Sequence, residues 1–299
     1  MKSKFIAVLF LWLAFAAPAM ADLKAFACEP EWAALLKELG GDHITVTTAT
    51  TAEQDPHYIQ ARPSLIARLR TADIAVCTGA ELEIGWLPLL LRSAANPRVQ
   101  PGGPGYFEAA AQVERLEIPE RVDRAAGDVH PAGNPHVQLD PRRIAKIADA
   151  LSERLAEVDA TQADTYRKRN ADFQQRWQEA IKRWEARATP LHGAGFVTFH
   201  KDQVYLFDWL GLKLVGTLEP LPGLPPTASH MTSLVIVAKQ SARAITRNPY
   251  QDPRPAEWLA TRTGLPAVVM PYTVGGSPAA TDLFGLFDDT ITRLLSILK

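Results

Sequence analysis

A chain of 299 residues with 47% hydrophobic and 22% charged residues has an ordinary globular composition. It is long enough for two lobes of about 100–150 residues each. Lysine plus arginine number 32 against 33 aspartate plus glutamate, a formal net charge of −1, which argues against nucleic acid as a partner because phosphate binding needs a basic surplus or stripe.

Lys2 and Lys4 form a short positive start, Phe5 to Ala17 is an almost unbroken apolar run, and Ala19-Met20-Ala21 supplies a small-x-small cleavage pattern. Residues 1–21 therefore read as a secretory signal peptide, too short in its apolar part for a comfortable membrane span. No later run approaches the ~20 apolar residues of a transmembrane helix. The mature chain is expected to be soluble and periplasmic. With Cys28 seven residues beyond the cleavage site, no lipid anchor is expected. In an oxidising compartment Cys28 and Cys77, each ending a strand-like apolar run, are expected to form a disulfide, with two buried thiols as the alternative.

From Leu23 the order reads strand, helix (Glu31–Leu39), strand (Ile44–Thr48), helix (Ser64–Arg70), strand (Ile74–Cys77) and helix (Leu87–Ser93). Such alternation is the mark of parallel βαβ units. A Gly/Pro-rich loop, Asn96–Gly105, and a second loop, Asp123–Asn134, follow. Asp140-Pro141 then provides an N-cap and first-turn proline for a helix running to about Glu157. Gln162 to Arg187 holds no Gly or Pro, and its 26 residues predict one rigid helix about 39 Å long. Alternation resumes with strand Gly195–His200, helix Val204–Leu210, strand Leu214–Glu219, a helix from near Ser229, strand Ala242–Thr246, helix Pro255–Thr263, strand Ala267–Tyr272 and helix Asp282–Leu298. The expected fold is α/β: two lobes (residues 22–158 and 189–299), each a parallel-type sheet flanked by helices, joined by one long rigid helix within residues 159–188.

Chemistry points to the seven histidines. His57 (Gln54-Asp55-Pro56-His57) and His136 (Gly133-Asn134-Pro135-His136) share a context: X-Pro-His in a loop shortly before a helix start, with proline limiting backbone freedom. His200 ends the strand Phe196–Phe199, at the end of a sheet where ligands collect. Three neutral imidazoles from separate loops suit Zn2+ at about 2.0–2.1 Å, with an oxygen ligand or water in fourth place. Taken singly, each histidine is better read as a satisfied polar loop residue, since no H-x-x-x-H spacing ties them together.

Four motifs occur in order: Gln54-Asp55-Pro56-His57; Gly79-x-Glu81-x-Glu83; Asn134-Pro135-His136-Val137-x-Leu139-Asp140-Pro141; and Phe199-His200-x5-Phe207-x3-Gly211-Leu212. Together they resemble the solute-binding receptors of bacterial ABC importers for zinc and manganese, the cluster A-I metal receptors. That resemblance implies two α/β lobes joined by a rigid helix with the metal between them, and His57, His136 and His200 as ligands. Manganese receptors of this type usually carry Glu where His200 stands, so the third imidazole favours zinc. The implied function is capture of Zn2+ as cargo and its delivery to an inner-membrane ABC permease, by a chain expected to be monomeric and not an enzyme. A periplasmic zinc buffer or metallochaperone, a zinc hydrolase and a manganese receptor are the alternatives.

The chain departs from the family pattern twice. Pro271-Tyr272-Thr273-Val274-Gly275-Gly276 carries no acid where the family often has a carboxylate ligand, leaving Asp282 or a water for the fourth position. The long His- and Asp-rich loop of many zinc receptors is reduced to Asp128-Val129-His130, with His130 expected in solvent rather than on metal. Glu81 is a candidate acceptor for a ligand histidine. Asp288-Asp289 reads as a solvated helix face, and Trp177 and Trp184, seven apart, as one core-facing stripe. No G-x-S-x-G elbow or phosphate loop is present.

Overall fold

The computed structural model describes residues 22–121, 127 and 129–298; the signal-peptide segment and Asp128 lie outside the described residues. The first half runs β1 (Leu23–Ala27), α1 (Pro30–Gly40), β2 (Ile44–Thr48), α2 (Pro63–Arg70), β3 (Ile74–Cys77), α3 (Leu87–Ala94) and β4 (Tyr106–Glu108). Two long helices follow, α4 (Pro141–Val158) and α5 (Ala163–Ala188). The second half is β5 (Gly195–Thr198), α6 (Val204–Leu210), β6 (Lys213–Thr217), α7 (Ala228–Ser241), β7 (Ala244–Arg247), α8 (Pro253–Thr263), β8 (Ala267–Val269) and α9 (Leu283–Ser296).

Each half builds a four-stranded, all-parallel sheet, ordered β2-β1-β3-β4 and β6-β5-β7-β8. The chain reverses its direction of travel beside β1 and again beside β5, which opens a crevice at the carboxyl ends of those strands. The expected alternation is therefore present, and the two halves repeat one topology. The strand Tyr106–Glu108 was not expected. It is three residues long, follows a Gly/Pro-rich loop, and pairs through β3 alone.

Prolines account for many boundaries. Pro30, Pro63, Pro141 and Pro253 stand in first helical turns, where the missing N–H costs no hydrogen bond. Asp140 accepts from the Arg142 amide at 2.8 Å and so starts α4 as its Asp-Pro pair predicts. At Gly195 a Cβ would lie 2.1 Å from the Ser241 carbonyl oxygen, so only glycine lets β5 begin there.

Alternate residues of each strand enter different cores. Ala25 and Ala27 join a cluster shared by both halves, whereas Phe26 and Cys28 pack with α2 and α3. In the second half Phe196 joins the shared cluster and Val197 packs with α7 and α8. Helix α5 runs along the shared cluster and contacts α1 and α4 of the first half and α9 of the second. Trp177 and Trp184 lie on its buried face: the Trp177 indole donates to the Pro141 carbonyl at 2.8 Å, and the Trp184 indole to Asp288 Oδ1 at 2.9 Å. Asp288 is thus a partner of the linking helix as well as a surface residue, and Asp289 pairs with Arg293 and Ser277. Cys28 and Cys77, at the ends of neighbouring β1 and β3, form the expected disulfide.

Candidate metal centre

His57 lies on the loop after β2. Asp55 Oδ1 accepts both the His57 backbone N–H at 3.0 Å and the ring Nδ1 at 2.7 Å. Burial would raise the Asp55 pKa, but the hydrogen bonds and charge of His57 outweigh it and hold the carboxyl below its usual value. An ionised carboxylate only accepts, so Nδ1 carries a proton, and in the neutral ring Nε2 is the nitrogen left with a lone pair. The loop is itself tied down, the Trp86 indole donating to the Pro56 carbonyl at 2.8 Å.

His136 precedes the one turn of 3-10 helix that leads into α4, and is fully buried. Its backbone N–H donates to Asn134 Oδ1 at 3.0 Å, and its Nδ1 is bonded to the Tyr272 hydroxyl at 2.8 Å. Burial, together with the neighbouring His200, His57 and His130, lowers its pKa well below 6.5, so the ring is neutral.

His200 lies two residues past the end of β5, its Nδ1 against Glu219 Oε2 at 2.7 Å. Burial lowers its pKa, but the hydrogen bond that Glu219 accepts and the negative charges of Asp202, Glu219 and Asp55 prevail, and the pKa is raised. Glu219 follows β6 and also accepts the Gly223 amide at 3.1 Å.

With every Nδ1 engaged by a fixed partner, the three rings turn their other nitrogens inward. One donor atom from each of His57, His136 and His200 lies within 4.8 Å of the others. Ring centroids are 5.5 Å (His57–His136), 5.7 Å (His57–His200) and 5.5 Å (His136–His200) apart. Imidazoles arranged tetrahedrally on one ion at Zn–N distances of about 2.0–2.1 Å have centroids roughly 5.2 Å apart. The Nε2 atoms of His57 and His136 are buried without a hydrogen-bond partner, the signature of a position meant for something else. Two cavities border the cluster. One, of about 290 Å³, is lined by Glu53, Asp55, His57, His200, Glu219 and Asp252 among others. The other, of about 190 Å³, brings His130, His136 and His200 together with Glu117 and Lys201.

Three expectations are corrected. Asp282 is no ligand: it caps α9, accepting the Gly285 amide at 2.7 Å, and borders a different surface depression, beside Pro30 and Arg169. Glu81 is exposed in a turn with φ +66° and accepts from none of the three histidines. The partners at Nδ1 are instead Asp55, Glu219 and Tyr272. Its neighbour Glu83 turns inward, accepting the Thr78 amide at 2.7 Å. His130 is half-buried beside the cluster rather than in open solvent, its ring stacked on His57 at 5.5 Å. Glu219 and Tyr272 carry no local sequence signal beyond standing past the carboxyl ends of strands.

A family profile described as ZnuA, the periplasmic component A of the zinc-uptake complex, matches residues 26–296. The chain belongs to that family. Zinc-binding lipoprotein AdcA of Streptococcus pneumoniae is 25% identical over 211 residues, covering 69% of this chain and 40% of AdcA. This chain thus spans well under half the length of that relative. The high-affinity zinc uptake system protein ZnuA of Bacillus subtilis is 23% identical over 268 residues, covering 88% of this chain and 82% of that one. Among solved structures, a crystal structure of ZnuA superposes with a TM-score of 0.75 at 20% identity, covering 91% of this chain and 99% of that one. A Mn-bound periplasmic metal binding protein from Candidatus Liberibacter asiaticus gives 0.75 at 18% identity, covering 92% and 99%. These likenesses show the two-lobed fold of the ZnuA family, as the four motifs imply.

Proposed function

We propose that this protein is a periplasmic receptor that captures one Zn2+ with His57, His136 and His200 and hands it, as a monomer, to an ABC permease. The observation that carries this reading is the set of three inward imidazoles whose opposite nitrogens are fixed by Asp55, Tyr272 and Glu219. The neutral His136 imidazole needs no deprotonation before it binds, and an all-nitrogen set suits zinc better than manganese, which prefers oxygen. Membership of a zinc-uptake family and relatives named for zinc binding support the same cargo and the permease partner. Zinc is substrate here, so the site has to release it. His200, whose pKa is raised, takes up a proton more readily than His136, whose pKa is lowered, when the ion leaves.

Native mass spectrometry with chelator competition, on the metal-stripped mature chain and on His200→Ala, tests the reading. One tightly bound zinc, weakened at least about tenfold by the substitution, is expected. Zinc binding untouched by His200→Ala, or no specific metal at all, would overturn it.

A further inference from the structure

Of the three imidazoles, only His57 is carried by the first sheet, on the loop after β2. Asp55 orients its ring, but Asp55 belongs to the same loop and cannot fix where that loop stands. The fixing comes from Gly79–Trp86, the segment between β3 and α3. The Trp86 indole donates to the carbonyl of Pro56, immediately before His57, at 2.8 Å. Gly85 stands against the carbonyl of His57 itself, where an added Cβ would lie 3.0 Å from the oxygen. Two consecutive residues thus hold the two peptide groups that flank the ligand. Ile59, two residues beyond His57, is buried in the same cluster as Trp86.

The segment that carries them is held in an unfavourable shape. Gly79, Ala80 and Glu81 take φ of +75°, +50° and +66°, three left-handed residues in succession, a region that glycine alone among them enters freely. Glu83 folds back to latch the run, its carboxyl oxygens accepting the Thr78 amide at 2.7 Å and the Gly79 amide at 3.1 Å. The Trp86 amide then donates to the Glu83 carbonyl at 3.1 Å, at the head of α3. The outer side of the turn faces a depression rather than core. Gly79, Glu81, Glu83 and Ile84 border its volume of about 310 Å³, and Ile84 is 63% exposed. Hydrogen bonds rather than packing on that side keep the turn in place, and backbone strain of this kind persists where the surroundings impose it.

We propose that Gly85 and Trp86 are positioning residues for zinc: they place His57 against the other two histidines and so set how long the ion is held. The inference rests on the three-histidine site proposed above and concerns the lifetime of the bound ion, not its ligands. A zinc–nitrogen bond tolerates a deviation of only about 0.2 Å. A methyl group on Gly85 would force the His57 carbonyl to give by a few tenths of an ångström, enough to lengthen one of the three bonds. Gly85 lies outside the left-handed region, and the His57 oxygen is all that its added Cβ would meet within 4 Å beyond its chain neighbours. The substitution therefore loads its whole effect onto the ligand.

Stopped-flow release of zinc into excess chelator, the visible spectrum of the Co2+ form and urea unfolding of the metal-free chain test this. The proteins compared are the mature chain, Gly85→Ala, Trp86→Phe and His200→Ala. Gly85→Ala is expected to release zinc about tenfold faster and to alter the cobalt bands, with one ion still bound and the urea midpoint close to that of the parent. Trp86→Phe keeps an aromatic ring and loses the N–H, and should speed release in the same direction. Residues that serve only the core would move the urea midpoint and leave release and the cobalt bands of the folded protein untouched. That result in either variant would overturn the inference. If His200→Ala abolishes tight binding while neither variant changes release, only the positioning role fails. If the parent binds no zinc, the receptor reading fails with it.

Discussion

A carboxylate beside an imidazole strengthens the ring's hold on a metal and on a proton alike, and pH decides which prevails. Glu219 does this for His200, whose pKa is raised, while burial and neighbouring imidazoles keep His136 well below 6.5. As pH falls, His200 is therefore the first of the two to take a proton, and zinc capture weakens from its raised value downward while His136 stays neutral. Glu219→Gln keeps an acceptor for Nδ1 but removes the charge. Zinc affinity near neutral pH is expected to fall about tenfold, and the pH at which binding is half lost to move down. Chelator competition across about pH 5–8 reads both; an unchanged pH midpoint would show that Glu219 does not set the protonation of His200. The histidines were visible in sequence because proline precedes two of them and a strand ends before the third. Their partners were not. Tyr272 lies 136 positions from His136 and Glu219 lies 19 from His200, and only the folded sheets bring them together.

At the scale of elements, the long helix was legible to within a residue at each end, Gln162–Arg187 against Ala163–Ala188, because 26 residues without Gly or Pro leave little else. Strand β4 was not legible, since three residues after a glycine-rich loop carry no periodicity of their own and form a strand only against β3. The tryptophan stripe of α5 is where the two halves meet. Trp177 is fully buried, stacks on Phe173 at 5.0 Å, meets Phe287 edge-on at 5.5 Å, and donates to the start of α4. Trp177→Ala removes that packing and leaves the Pro141 carbonyl short of a donor, a cost of about 3–5 kcal/mol. Denaturant unfolding should show the loss. Zinc stoichiometry of the folded fraction should stay at one, because none of the three histidines lies on this helix; a stability change under about 1 kcal/mol would place the joint between the halves elsewhere.

Across the whole molecule, the repeated βαβ pattern announces two lobes, but no pattern announces what fastens them beyond α5. One fastening is a hydrogen bond from Thr273, just past β8, to the buried carboxyl of Glu31 on α1. Thr273 adjoins Tyr272, so one short segment holds both His136 and the first lobe. Burial raises the Glu31 pKa from 4.5 to about 7, the Thr273 hydrogen bond offsetting only part of the effect. Between those values the folded protein holds a proton that the unfolded chain has lost. The contribution to stability is therefore complete below pH 4.5 and disappears as pH rises through about 7. Burial raises Glu29 and Glu83 as well, with Glu83 also at about 7, so the metal-free protein should grow less stable from weakly acidic to weakly basic pH. Glu31→Gln stays neutral throughout and still accepts from Thr273. It should make that decline shallower and leave the variant more stable than the parent near pH 8, by a margin on the order of 3 kcal/mol. Urea midpoints measured from about pH 5 to 8 decide it. Parallel curves for parent and variant would mean that Glu31 is already ionised in the folded protein, and that the Thr273 contact joins the lobes through a charge rather than through a shared proton.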